Sequence, residues 1–124
     1  MDPVSTRMAA LWGRIEHMKG GDKRSLFPEI DGMIHEPARL RILVLLANIE
    51  EADFMYILGQ SGLSRGNLSV QMTRLDKQGY VELERRIEGS RARTSYRLSR
   101  NGREALAKYK EVMGTYLQAL PESI

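Results

Sequence analysis

The chain has no cysteine and only two histidines among its 124 residues. The first absence excludes a disulfide framework, a thiolate metal site and a cysteine nucleophile. The second leaves little material for acid–base chemistry, and His17 and His35 stand far apart. No Ser/His/Asp set stands out, so neither an enzyme nor a metal or cofactor site is expected. Hydrophobic runs are short: Ile42–Ala47 is the longest, far below the roughly 20 residues that a membrane helix needs. No basic region followed by an apolar stretch opens the chain, so no secretory signal is expected and a soluble cytoplasmic protein is the default. The stretch Gly20-Gly21-Asp22-Lys23-Arg24-Ser25 lacks both the spacing of a phosphate loop and a preceding apolar strand. Glu50, Glu51 and Asp53 could hold a hard cation, but solvated loop charge is the plainer account.

What is present suits one domain with a modest core. The net charge of +3 says little, whereas its distribution says more. Residues 65–97 hold eight Lys or Arg against four Asp or Glu, and the remainder holds eleven against twelve. The positive excess therefore sits in one segment. A local basic patch is the usual footprint of a nucleic-acid binder, although a solvated basic face would look the same.

Apolar spacing divides the chain into elements. Val4, Met8, Leu11, Trp12, Ile15 and Met18 form one helical stripe, followed by a joint at Lys19–Lys23. A turn around Ile30–Ile34 leads to a helix from about Glu36 to Asn48, with Pro37 in its first turn and Leu40, Leu43, Val44, Leu46 and Ala47 toward the core. Glu50–Asp53 reads as a turn or short strand, and Phe54–Gln60 as a helix ended by Ser61-Gly62. Ser64 caps a helix that Gly79 stops. Tyr80–Ile87 and Thr94–Leu98 pair as a hairpin around Glu88-Gly89-Ser90, and Ser99 caps a last helix reaching about Leu120.

The Ser64–Gln78 helix turns Leu68, Met72 and Leu75 inward. At 100° per residue the opposite face centres on Gly66, Val70, Thr73 and Lys77, flanked by Asn67, Ser69 and Arg74, with Ser64 and Arg65 at its start. Small residues allow close approach to base edges. Asn pairs bidentately with adenine, Arg with guanine, and Val or Thr methyls touch the thymine methyl. The alternative is a plain surface helix, which leaves an exposed Val70 unexplained. The hairpin adds Arg91 and Arg93 around Ser90, and more weakly Arg86, as phosphate or minor-groove contacts. Glu82, Glu84 and Glu88 leave its strands mixed in charge.

The run FMYILGQSGLSRGNLSVQMTRLDKQGYVELERRIEGSRARTSYRLSRNGREAL resembles the winged helix-turn-helix domain of small prokaryotic transcription regulators of the MarR/ArsR-like group. More closely, it is similar to short stand-alone winged-helix regulators of archaea and bacteria, and IHEPARLRILVLL resembles their first core helix. The resemblance covers about residues 30–106. It implies an α+β, mostly helical winged helix-turn-helix fold. Phe54–Gln60 would be the positioning helix, Ser64–Gln78 the recognition helix, Tyr80–Leu98 the wing and Ser99–Leu120 a dimerisation helix.

Leu106, Tyr109, Met113, Tyr116 and Leu120 keep a 3–4 spacing over two heptads, the seam of a helix that pairs with another. With Met8, Leu11, Trp12 and Ile15 they are expected to build a homodimer interface; packing within one chain is the alternative. The expected organisation is thus residues 1–24 as a dimerising helix and linker, 25–98 as the DNA-binding domain and 99–124 as a dimerising helix. A homodimer implies a pseudo-palindromic double-stranded operator. A small-molecule effector could sit near Trp12, Tyr109 or Tyr116, although packing explains those rings more simply. The expected function is a sequence-specific regulator, a repressor by preference. Its rivals are a nonspecific architectural chromatin protein and a winged-helix protein-interaction module.

Overall fold

The computed structural model describes residues 26–124. The expected N-terminal helix, its joint, and the interface residues Met8, Leu11, Trp12 and Ile15 lie outside the described residues.

Glu36 starts the first described helix. Its carboxylate accepts from the backbone N–H groups of Ala38 (3.1 Å) and Arg39 (2.9 Å), which satisfies donors that a helix start leaves open. Pro37, which has no N–H to satisfy, opens α1 (Pro37–Ala47). The buried residues of α1 are Ala38, Arg39, Ile42, Leu43 and Leu46. This corrects the expected core face: Val44 is exposed, and Ile42 takes its place. The segment LRILVLLA is apolar on every side after Arg41, so its spacing selects no face.

A two-residue strand, β1 (Ala52–Asp53), follows. Asp53 then caps α2 (Phe54–Ser61) by accepting from Tyr56 N–H at 2.8 Å. Ser64 caps α3 (Arg65–Gln78) by accepting from Asn67 N–H at 3.1 Å. Leu68, Gln71, Met72 and Leu75 are buried along α3. Gly79, at φ 81°, ends it in the left-handed conformation that glycine adopts without penalty.

The wing is β2 (Val81–Glu88) and β3 (Arg91–Leu98), joined by Gly89-Ser90. The return strand begins earlier than its sequence pattern indicates, so Arg91 and Arg93 stand in the ladder. Strand β3 is central, with order β1-β3-β2 and both pairs antiparallel. β1 reaches only Tyr96 and Ser95. Of the wing, only Val81 and Leu98 are buried, so its outer part is a ribbon with no covered face.

The last helix, α4 (Arg100–Ala119), is latched to the wing root. The Ser99 hydroxyl donates to Gly79 O (2.6 Å) and accepts from Gly102 N–H (2.9 Å), while Ser99 N–H donates to Tyr80 O (3.0 Å). A Cβ on Gly102 would collide with the Tyr80 carbonyl, so only glycine fits there. The first compact unit spans Asp31–Ala107 and holds α1, the three strands, α2, α3 and the start of α4. Residues 26–30 and 108–124 fall in a second unit. There the Tyr116 ring stacks on Phe27 with centroids 5.6 Å apart, and its hydroxyl donates to Pro28 O at 2.8 Å.

Candidate nucleic-acid interface

Burying Leu68, Met72 and Leu75 turns the opposite side of α3 to solvent. Ser64, Arg65, Gly66, Asn67, Ser69, Val70, Thr73, Arg74 and Lys77 are all exposed. Val70 is an apolar side chain left 48% exposed among polar neighbours. All nine residues expected of a reading face are thus open to solvent, with Gly66, Val70, Thr73 and Lys77 opposite the buried stripe.

Local bonds decide what several of these residues can offer. Ser64 Oγ is engaged as a cap acceptor, which leaves its proton free to donate. Thr73 Oγ1 donates back to Ser69 O at 3.0 Å, so its methyl is the group left to meet a base. Asn67 Oδ1 accepts from Gln71 Nε2 at 3.0 Å. The pKa of the Glu36 carboxylate is lowered, chiefly by the backbone hydrogen bond from Arg39. Burial opposes this, and the Ala38 N–H and the charges of Arg39 and Arg74 add to it. Arg74 therefore lies within the field of the α1 cap.

The wing divides its charges between two faces. Glu82, Glu84, Arg86, Glu88, Arg91, Arg93 and Arg97 share one, while Val81, Leu83, Arg85 and Ile87 lie on the other. Arg97 pairs with Glu82 at 2.7 Å, and Arg86 with Glu84 at 3.2 Å and Glu51 at 3.5 Å. The pKa of Arg86 is raised, first by the Glu84 hydrogen bond and then by the charges of Glu51 and Glu84. Arg93 holds Glu88 only at 3.9 Å, and Arg91 has no ion pair among the described residues. Arg91 and Arg93 are thus the less committed cations, while Arg86 is held by two carboxylates. Ile87 shares the side of Val81 and Leu83, yet it is 82% exposed near the tip, opposite Ala92. The ribbon extends beyond the core that covers Val81.

Two buried polar residues behind the face, Arg39 and Gln71, carried no local signal, because they meet across 32 positions at 2.9 Å. The C-terminal end of α3, β2 and the α4 start also border an open groove of about 570 Å³, lined by Asp76, Glu82 and Arg100 among others. Two carboxylates there are the wrong sign for a phosphate. Among the described residues no group of three His, Cys, Asp or Glu could hold a metal ion. No helix among them is long and apolar enough to cross a membrane.

A capped helix with an exposed polar face, followed at once by a projecting basic hairpin that joins β1 in a three-stranded sheet, is the winged-helix arrangement. The sequence profile of the family described as "Winged helix DNA-binding domain" matches residues 38–117. The chain belongs to this family. It is 31% identical over 71 residues to an uncharacterized protein of Methanocaldococcus jannaschii, spanning 57% of this chain and 77% of that relative. Its fold resembles a transcriptional regulator homologue from Pyrococcus horikoshii (TM-score 0.64, 24% identity, 68% of this chain and 84% of that one). It also resembles the transcriptional repressor BigR from Xylella fastidiosa (TM-score 0.52, 26% identity, 63% and 76%). The fold and the likeness to small prokaryotic regulators are therefore as the sequence leads one to expect.

On α4, Tyr109 is buried in the isolated chain together with Val112 and Thr115. Of the expected seam, Leu106, Met113 and Tyr116 are half-buried and Leu120 is exposed, beside an exposed Leu117.

Proposed function

We propose that this winged-helix protein is a sequence-specific double-stranded DNA-binding transcription regulator acting in the cytoplasm as a homodimer. In this reading α3 lies in the major groove and the wing on the adjacent backbone and minor groove. The observation that carries it is the division of α3. Its apolar stripe is buried, while Asn67, Val70, Thr73, Arg74 and Lys77, which between them suit adenine, thymine, guanine and phosphate, are open to solvent.

Arg91 and Arg93 are the wing's phosphate contacts, and Ile87 would lie against the minor-groove wall, where apolar side chains are used as wedges. The terminal segments 1–24 and 99–124 supply the dimer interface. Leu117 and Leu120 support this, since an isolated helix end gains nothing by exposing two leucines three residues apart. A dimer seated across an operator blocks access to it, and BigR is described as a repressor; repression is accordingly the favoured sign.

Electrophoretic mobility shifts on selected and random duplexes test the reading. Tight binding to selected sequence and weak binding to random duplex is the expected result. Equal affinity for both would favour an architectural protein, and no binding to either would favour a protein-interaction module.

A further inference from the structure

A polar chain runs from the interior to the reading face. Arg39 and Gln71 are 9% and 8% exposed. Arg39 Nε donates to Met33 O at 2.5 Å, one terminal nitrogen to Gly32 O at 3.3 Å, and the other to Gln71 Oε1 at 2.9 Å. That second terminal nitrogen also lies 3.7 Å from Glu36 Oε2. Gln71 Nε2 then donates to Asn67 Oδ1 at 3.0 Å. Stability alone does not call for this: well-packed apolar residues commonly serve as well as a buried ionic cluster.

The chemistry gives the chain a direction. Arginine has donors only, so Gln71 must turn its oxygen toward Arg39. Its NH₂ is then left for Asn67, which must present Oδ1 to receive it. A carboxamide has two ends of nearly equal shape, and here only one orientation satisfies both links. Asn67 therefore keeps its Nδ2 donor and the second lone pair of Oδ1 for a ligand. That pair matches the major-groove edge of adenine, where N7 accepts and N6 donates.

We infer that Arg39 and Gln71 are positioning residues that fix the amide polarity of Asn67, and that Asn67 so held reads one adenine in each half-site. The inference rests on the proposed role of α3 as a base-reading helix.

Gln71→Glu separates positioning from mere support. Glutamate keeps the shape and accepts from Arg39, but it has no N–H for Asn67. Asn67 must then turn Nδ2 inward and Oδ1 outward. Full-length wild type, Gln71→Glu and Asn67→Ala are each used to select from random duplex DNA, with thermal melts in parallel. Wild type should prefer adenine at one half-site position by roughly ten-fold or more, and Asn67→Ala should lose that preference. Gln71→Glu should lose it too, or exchange it for cytosine, whose N4 group donates, while the other positions stay unchanged.

Should Gln71→Glu fail to fold, Arg39→Met/Gln71→Met removes both inner links at once, at the cost of the donors to Met33 O and Gly32 O, and should blunt the same preference. Full adenine preference in either folded variant overturns the inference. It also falls if Asn67→Ala alters no position while Thr73 or Arg74 variants do, and base reading by α3 then still stands. If no α3 variant alters any position, the proposed function falls with it.

Discussion

Arg86 and Arg93 face each other directly across the wing ladder. Like charges in opposed positions destabilise a strand pair, and here three carboxylates, Glu51, Glu84 and Glu88, lie close enough to compensate. A hairpin built for stability alone would not place two arginines there. In the proposed complex, phosphate oxygens would relieve whatever repulsion the three carboxylates leave.

Arg91→Ala/Arg93→Ala is expected to weaken binding to selected and random duplex alike, and to lower the salt slope by about 0.9 for each phosphate that is no longer neutralised. Arg86→Ala should cost less, because its charge is already shared with Glu84 and Glu51. Titrations at several salt concentrations check both. An unchanged slope in the double variant would remove the wing from the interface.

Thr73→Ala and Arg74→Ala are expected to act on discrimination. Each should cost about 1–3 kcal/mol against the preferred base at its own position and much less on random duplex. Competition binding with single-base operator variants measures this. Equal losses on both kinds of DNA would mean that these side chains touch backbone only.

Gly102→Ala should destabilise the fold although alanine is the better helix former. Helix propensity returns about 1 kcal/mol, but the new methyl meets the Tyr80 carbonyl, a backbone atom that cannot step aside. Overpacking of this kind costs about 1–3 kcal/mol, which against that gain leaves a net loss of up to about 2 kcal/mol, read from urea unfolding. A variant as stable as wild type would contradict the described seating of α4.

Stability should fall with alkali between about pH 10 and pH 12. Burial, the hydrogen bond donated to Asp31 and that carboxylate's charge raise the pKa of Tyr80 to about 12, against an opposing hydrogen bond with Gln78. A group raised in the folded state contributes fully below its unfolded value, near 10, and loses that contribution as pH rises through the folded one. Tyr80→Phe should flatten the decline in urea midpoint over that window, and an identical decline in the variant would contradict the assignment.

Much of this was legible locally. Ser64, Gly79 and Ser99 mark their element boundaries because caps are satisfied within three or four residues of the chain. The buried stripe of α3 followed from Leu68, Met72 and Leu75 because Val70 is the one large apolar side chain among its other positions. α1 was harder, since Val44 and Ile42 differ in burial but not in type. The exposure of Ile87 was not legible either, because alternation marks a strand face but not where its covering core ends. The Arg39–Gln71 hydrogen bond was invisible, because nothing near Arg39 in sequence distinguishes a buried arginine from a surface one. Of the interface expected at the termini, four residues lie outside the described part. Tyr109 and Tyr116 already pack within the chain, and Leu117, not singled out by its spacing, is exposed beside Leu120.

The most direct test of the central claim is selection of bound sequences from random duplex DNA by the full-length protein, followed by sequencing. The account predicts an enriched inverted repeat, with half-sites about one helical turn or a multiple of it apart, each containing a fixed adenine. A flat output, with no sequence enriched over the input, would contradict it.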